Sequence, residues 1–312
     1  MEVVVVRPNG LEPSLQANIS EDMFTRFIDY IDAKPKTIET YARAVRQFFK
    51  WLQANNINRP ARTDIIAFRD ELKRTVKPST VQSYIIAVRQ FFKWLYQEGQ
   101  YPNVAENIKG AKLDKSHKKD ALTSRQLKEV LNLIDTNTLS GKRDYAIFAL
   151  MVTGGLRTVE VVRANIEDLR SVGDETVLYL QGKGKDEKTD YTKIPAPVEK
   201  AIRDYLSARG KADLKAPLFA STSNNNQGER MTTRSISGII KTSLRGAGYD
   251  SERLTAHSLR HTAGTLNLLH GGSLDETQQL LRHSNINTTM IYLHHIDRAK
   301  NRSEQRIAEA IF

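Results

Sequence analysis

Apolar side chains return at helical spacing through two stretches of the chain that repeat one another. Val45-Arg46-Gln47-Phe48-Phe49-Lys50-Trp51-Leu52 recurs as Val88-Arg89-Gln90-Phe91-Phe92-Lys93-Trp94-Leu95, and Thr37 and Tyr41 upstream answer Thr80 and Tyr84. In each copy Tyr, Val, Phe and the second aromatic pair mark apolar positions, while Arg and Lys sit on other faces. Two copies are too few for a solenoid, so both helices belong to one small helical domain. Asp22 to Ile31 and Arg62 to Arg74 read as further helices, and Pro78 lies just before the Ser79-Thr80 start of the next. The pattern predicts a four-helix domain over 20–104, behind an N-terminal extension of 1–19.

Periodicity then lapses over 105–120, where between Lys109 and Lys119 five lysines (Lys109, Lys112, Lys115, Lys118 and Lys119) stand with Gly110 and only Asp114 as a counter-charge. Such a run is a solvated linker, or a strip laid along a phosphate backbone. A second domain is expected over 121–312. Thr123 with Gln126 three residues on is a capping box opening a helix over 124–135, and another helix follows from about Arg143 to Met151. Thr176 to Leu180 is β-rich, Gly182 to Gly184 makes a turn, and Tyr191 to Ile194 supplies a return strand. Pro197 opens a helix to about Ala208, Ser221 to Gly228 is an Asn-rich polar loop, and the chain from Thr232 onward is mostly helical. The fold class is therefore mainly α, with a small antiparallel β-sheet in the second, mostly helical domain.

Composition narrows the partners. The 312 residues carry 47 Lys and Arg against 36 Asp and Glu, a net charge of +11. That balance suits a polyanion, because Lys and Arg at phosphates release counterions; a merely solubilising surface is the alternative. There is no cysteine, which excludes disulfides, thiolate zinc sites and a Cys nucleophile. No apolar run approaches the length of a membrane span, and the four valines of Val3 to Val6 are too short for a signal-peptide core, so a cytoplasmic protein is the expectation.

Four clusters carry candidate chemistry. Thr153-Gly154-Gly155-Leu156-Arg157-Thr158-Val159-Glu160 joins a glycine turn to an Arg and a Glu on one helical face; alone it reads as a surface ion pair. Gln181-Gly182-Lys183-Gly184-Lys185 puts a lysine at the hairpin tip and lacks the rest of a phosphate loop, so an ATP site is not supported. His257-Ser258-Leu259-Arg260-His261 turns His257 and Arg260 one way and Leu259 toward a core. Leu281-Arg282-His283-Ser284 precedes Thr288-Thr289-Met290-Ile291-Tyr292. His257, His261, His283, His294 and His295 crowd this region, but the His257/His261 pair lacks the Glu of a metalloprotease helix and Arg260 repels a cation, so no metal site is expected.

In this order the clusters resemble the tyrosine recombinase (phage integrase) family, of the Xer-like or simple integrase type. The family pattern is Gly-Leu-Arg with a Glu three residues on, a Gly-Lys-Gly hairpin, His-x-x-Arg-His, then Leu-Gly-His and a Tyr nine residues after that His. Gly155-Leu156-Arg157 with Glu160, Gly182-Lys183-Gly184, His257 to His261, His283 and Tyr292 match it. Arg282 departs from it, standing where the family has Gly; it needs room, or adds a phosphate contact.

The resemblance implies a SAM-like core-binding domain over 20–104 and a catalytic domain over 121–312 that close round double-stranded DNA at specific core sites. It implies site-specific strand cleavage and rejoining through a 3′-phosphotyrosine on Tyr292, with no ATP, metal or other cofactor. Arg157 and Arg260 hold the non-bridging oxygens, since a planar guanidinium suits two oxygens better than an ammonium. His283 donates to the same phosphate, Lys183 protonates the leaving 5′-oxygen, His257 assists proton transfer at Tyr292, and Glu160 orients Arg157 or His257. Candidate DNA contacts are Arg43, Arg46, Lys50, Arg89 and Lys93 on the first domain and the five linker lysines. The amphipathic tail, 298–312, with Ile307, Ala310 and Ile311 apolar, packs on its own domain or docks on a neighbour in a tetramer on paired sites. With about twenty residues before the first domain, a simple recombinase on short core sites is expected. A type IB topoisomerase or a non-catalytic DNA-binding derivative are the alternatives.

Overall fold

The computed structural model describes residues 20–113, 120–182 and 185–312, except for the side chains of 294–300. The chain divides into two compact units, Met1–Ser116 and His117–Phe312.

Four helices build the first unit: α1 (Glu21–Tyr30), α2 (Pro35–Ala54), α3 (Arg62–Thr75) and α4 (Pro78–Gln97). The two repeat helices both start at a Lys-Pro step, where the missing N–H of proline costs nothing in the first turn. They pack on each other, and α4 also packs on α1 and α3. That central place breaks the equivalence of the repeat. Phe91 and Phe92 of α4 are both fully buried, whereas of their counterparts on α2 only Phe48 is, and Phe49 is half-buried. Trp94 lies inside, while Trp51 keeps an edge in solvent and donates to Glu71. One sequence pattern thus serves two packing environments, because α4 has neighbours on more sides. Tyr101, Ala105 and Ile108 extend the same core beyond α4.

The second unit opens with α5 (Ser124–Leu133), started by the expected Thr123–Gln126 capping box. Next comes α6 (Leu139–Thr153), apolar nearly all round and buried accordingly: Ala146 through Val152 are all inside. It starts earlier than the sequence suggests, because the Thr138 hydroxyl caps Gly141 N–H. A tight turn leads to the short α7 (Thr158–Arg163).

The sheet has three strands rather than a two-stranded hairpin. Strand β1 (Leu169–Val172) pairs antiparallel with β2 (Glu175–Leu180), which pairs antiparallel with β3 (Asp190–Lys193). The alternation in β1 was too weak to predict a strand: its side chains are half-buried at Leu169 and exposed for the remaining three, so it is an outer strand with little apolar signal. Next come α8 (Ala196–Arg209), α9 (Thr233–Gly246), α10 (Ala256–Leu269), α11 (Leu274–Leu281), α12 (Asn287–Lys300) and α13 (Ser303–Ile311). Helix α10 is flanked by α6, α9, α11 and α12. Residues that leave α6, run along α10, end α11 and line α12 therefore meet at one place.

Candidate active site

The site begins at the turn after α6. Gly155 adopts φ +57°, and a Cβ there would lie 2.6 Å from Leu281 Cδ2. Glycine is needed both for the left-handed backbone and for the close approach of α11. The turn delivers Arg157 as the N-cap residue of α7. Glu160, three residues on and fully buried, accepts from the Arg157 backbone N–H through Oε2 (2.8 Å) and from its guanidinium through Oε1 (2.8 Å). The predicted Arg–Glu pair therefore exists, but as a buried brace at a helix start rather than as a surface pair.

Arg260 projects from α10 and is 1% exposed. It donates to Gly155 O at 2.6 Å and to Leu281 O. Burial, and the positive charge of Arg157 and Arg282, pull its guanidinium down to about 9, which still leaves it cationic at neutral pH. His257, one turn earlier on α10, is exposed and lines the same cavity, whereas Leu259 points into the core.

His283 follows α11, and its Nδ1 lies 2.9 Å from the hydroxyl of the fully buried Thr289. Burial first, then the nearby Arg260, Arg157, Arg282 and His257, lower its pKa to about 4. The ring is neutral at pH 7. Its Nδ1 and the Thr289 hydroxyl share one hydrogen bond, whose donor depends on the tautomer of the ring. Unfolded, the ring takes a proton near 6.5; folded, only near 4. Between those values the unfolded chain binds more protons, so His283 lowers stability progressively as pH falls through that window and has no pH-dependent effect above it. Thermal melts at pH 5 and pH 7 are expected to differ less in His283→Asn than in the parent chain; equal differences would contradict the shift.

Tyr292, on α12, is 5% exposed. Its ring lies 4.7 Å from that of His261 and 6.4 Å, nearly parallel, from that of His283. Burial raises its phenol pKa, and Arg260 and Arg157 oppose the rise. The free site therefore holds a protonated phenol beside two cations, ready to be pulled toward the phenolate once a base takes the proton.

Arg157, His257, Arg260, His283 and Tyr292 line one cavity of about 530 Å³. Lys183 lies outside the described residues, but its neighbours Gly182 and Lys185 line that cavity too, with Lys185 Nζ 2.8 Å from Asp190. Among the described residues no group of three His, Asp or Glu side chains is placed to hold a metal ion. On the first unit Arg43, Arg46, Lys50, Arg89 and Lys93 are all exposed; Arg43, Arg46 and Lys50 share one groove on α2, where Arg46 stacks over Phe24 at 5.1 Å. Lys109 and Lys112 are exposed, while Lys115, Lys118 and Lys119 lie outside the described residues.

Two residues of the site were given no role from sequence: Thr289 holds His283, and His261 lies against Tyr292. Arg282, which the sequence marks as a departure from the family pattern, enters the site from the end of α11. Thr289 lies one helical turn before Tyr292, which is a signal that the sequence does contain.

Residues 120–298 match the phage integrase family, and residues 24–99 match its N-terminal SAM-like domain. The chain belongs to the phage integrase family. These are tyrosine recombinases, which cleave and rejoin DNA strands. The chain is 35% identical to the tyrosine recombinase XerC of Caldanaerobacter subterraneus over 195 residues, 62% of this chain and 52% of that relative. That match spans about half the relative's length. The XerC of Herpetosiphon aurantiacus is 31% identical over 269 residues, 83% of this chain and 84% of its own. In fold, this chain resembles the site-specific recombinase XerH, solved bound to its palindromic difH substrate after cleavage. The TM-score is 0.68 at 22% identity, over 88% of this chain and 78% of that one. The mainly helical class, the SAM-like first domain and the small antiparallel sheet are as expected.

Proposed function

We propose that this chain is a site-specific DNA recombinase whose nucleophile is Tyr292. The reading rests on one observation: five side chains drawn from separate stretches of sequence line one cavity that can hold a phosphodiester. Tyr292 attacks the phosphorus, the bond to the 5′-oxygen breaks, and the products are a 3′-phosphotyrosine and a free 5′-hydroxyl. Arg157 and Arg260 hold the non-bridging oxygens, and neutral His283 donates from Nε2 to one of them. Lys183 protonates the departing oxygen, and His257 takes the tyrosine proton. A 5′-hydroxyl from a partner strand then attacks the phosphotyrosine. Because the phosphoryl bond is conserved in the adduct, no external energy source enters the balance.

Thr289 serves this chemistry by fixing the His283 tautomer. Thr289→Val, which keeps the shape and loses the hydroxyl, is expected to slow adduct formation about fivefold to tenfold, the worth of one neutral hydrogen bond. A rate equal to the parent's would remove Thr289 from this role.

The partner is double-stranded DNA, and an uncovered apolar surface supports assembly on paired sites as a tetramer. Helix α13 leaves Ile307 59% exposed and Ile311 67% exposed, with no residue of the helix buried. The alternative in which this tail packs on its own domain is thereby disfavoured, and a neighbouring protomer is the natural cover. Truncation after Asp297 tests that: assembly on DNA unchanged by the deletion would eliminate it.

The function is tested by covalent trapping. Purified protein is mixed with sheared DNA of its source in chelator without nucleotide, quenched in detergent, and the linked fragments are sequenced. Adduct on a few recurrent sites is expected; adduct scattered over all sequences would instead identify a topoisomerase.

A further inference from the structure

Arg282 ends α11 in the left-handed region, φ +51°, a conformation that glycine adopts freely and arginine does not. Its side chain is 9% exposed, so the residue hides a cation as well as straining its backbone. The guanidinium is directed inward, to the turn that carries Arg157. It donates to Gly154 O (3.3 Å), Gly155 O (3.2 Å), Leu280 O (2.7 Å) and Glu160 Oε2 (3.1 Å). Glu160 is thus gripped on both oxygens, by Arg157 on Oε1 and by Arg282 on Oε2. Gly155 O is likewise shared, between Arg282 and Arg260.

We infer that Arg282 is a positioning residue for the phosphate grip: it locks the Gly154-Gly155 turn and Glu160 so that Arg157 and Arg260 stand at fixed separation before DNA arrives. A glycine at this place leaves both carbonyls and Glu160 Oε2 without this common donor. Arg282 turns its guanidinium toward the protein. Both of its terminal nitrogens already donate to protein oxygens, and Nε, which has no partner, is buried away from solvent. Preorganised cations stabilise charge without reorganising at the moment of reaction, which is what such a lock supplies. The inference rests on the reading that Arg157 and Arg260 bind the scissile phosphate.

The decisive variant is Arg282→Gly, which relaxes the backbone and leaves Glu160 paired with Arg157, so folding is retained. Two readouts are taken on the full chain. On a nicked duplex carrying a site recovered by trapping, Arg282→Gly is expected to bind DNA as the parent does and to form adduct at least about tenfold more slowly, the value of one charge-assisted hydrogen bond. Independently of cleavage, inorganic phosphate is titrated against protein labelled with ¹⁵N-arginine, following the Arg157 Nε–Hε signal; the glycine variant is expected to bind at least about tenfold more weakly. Arg282→Lys keeps the charge but cannot span two carbonyls and a carboxylate, so it is expected to behave like the glycine variant. Parent-like phosphate titration in Arg282→Gly, or full recovery in Arg282→Lys, would overturn the inference. Failure of the parent chain to form adduct, with the phosphate titrations differing as expected, would instead count against Tyr292 as nucleophile and leave the role of Arg282 standing.

Discussion

Tyr292→Phe will bind DNA as the parent chain does and form no covalent adduct, a loss on the order of 10⁴-fold or more, as when a nucleophile is removed from a covalent catalyst. The geometry makes this a clean deletion. The Tyr292 ring is held by its faces, against His261 at 4.7 Å and His283 at 6.4 Å, and the ring edge lies 3.4 Å from where a Cβ on Gly264 would be. Phenylalanine keeps all of that packing. Melting behaviour is therefore expected to change by no more than about the 1 kcal/mol of a single hydrogen bond. The check is detergent-resistant protein–DNA linkage after incubation on the trapped sites, beside an equilibrium binding curve. Adduct persisting in Tyr292→Phe would mean that another side chain attacks; loss of DNA binding would mean that the hydroxyl serves recognition.

Arg260→Ala carries the second large effect, and it strikes activity and stability together. Arg260 is the most completely buried cation of the site, and its two ends hold Gly155 O and Leu281 O, joining the turn after α6 to the end of α11. Truncation leaves Leu281 O without its donor and Gly155 O with Arg282 alone, at roughly 1–3 kcal/mol for the orphaned carbonyl. It also removes a preorganised cation from the phosphate, worth about 10²–10³-fold in rate. Urea unfolding of the full chain should show the second unit's transition moved to lower denaturant, and single-turnover adduct formation should fall by that factor even below the melting range. Arg260→Lys is expected to recover part of the stability but little of the rate, because an ammonium cannot present a planar fork. A parent-like adduct rate in Arg260→Ala would take the guanidinium out of the chemistry.

These two substitutions separate what the local sequence encodes from what the packed chain creates. Both residues are visible in motifs, yet the reason for the larger stability loss at Arg260 is visible only in three dimensions. Its acceptor Gly155 O is 105 positions away along the chain.

The helices with strong periodicity were legible because burial on one face is a local property of a repeating pattern. Capping was legible for the same reason, as at Thr123 and Gln126, where the partners are three residues apart. The ordered clusters identified the family, and the helical phase of His257 and Arg260 placed both at one cavity. Strand β1 was missed because an outer strand with exposed side chains writes almost no alternation into the chain.

What the sequence by itself determined, then, is the run of helices, the hairpin between Glu175 and Lys193, and the set of residues proposed to carry the chemistry. Only the tertiary structure decided how they are held. The carboxylate of Glu160 is shared with Arg282, 122 positions away, the Nδ1 of His283 meets a hydroxyl brought inside by α12, and the depressed pKa of that imidazole comes from burial among several cations. The physical reason is the same in each case. Periodicity reports one segment's own exposure to water, whereas charge, desolvation and shared hydrogen bonds depend on which distant segments the fold brings within a few ångströms.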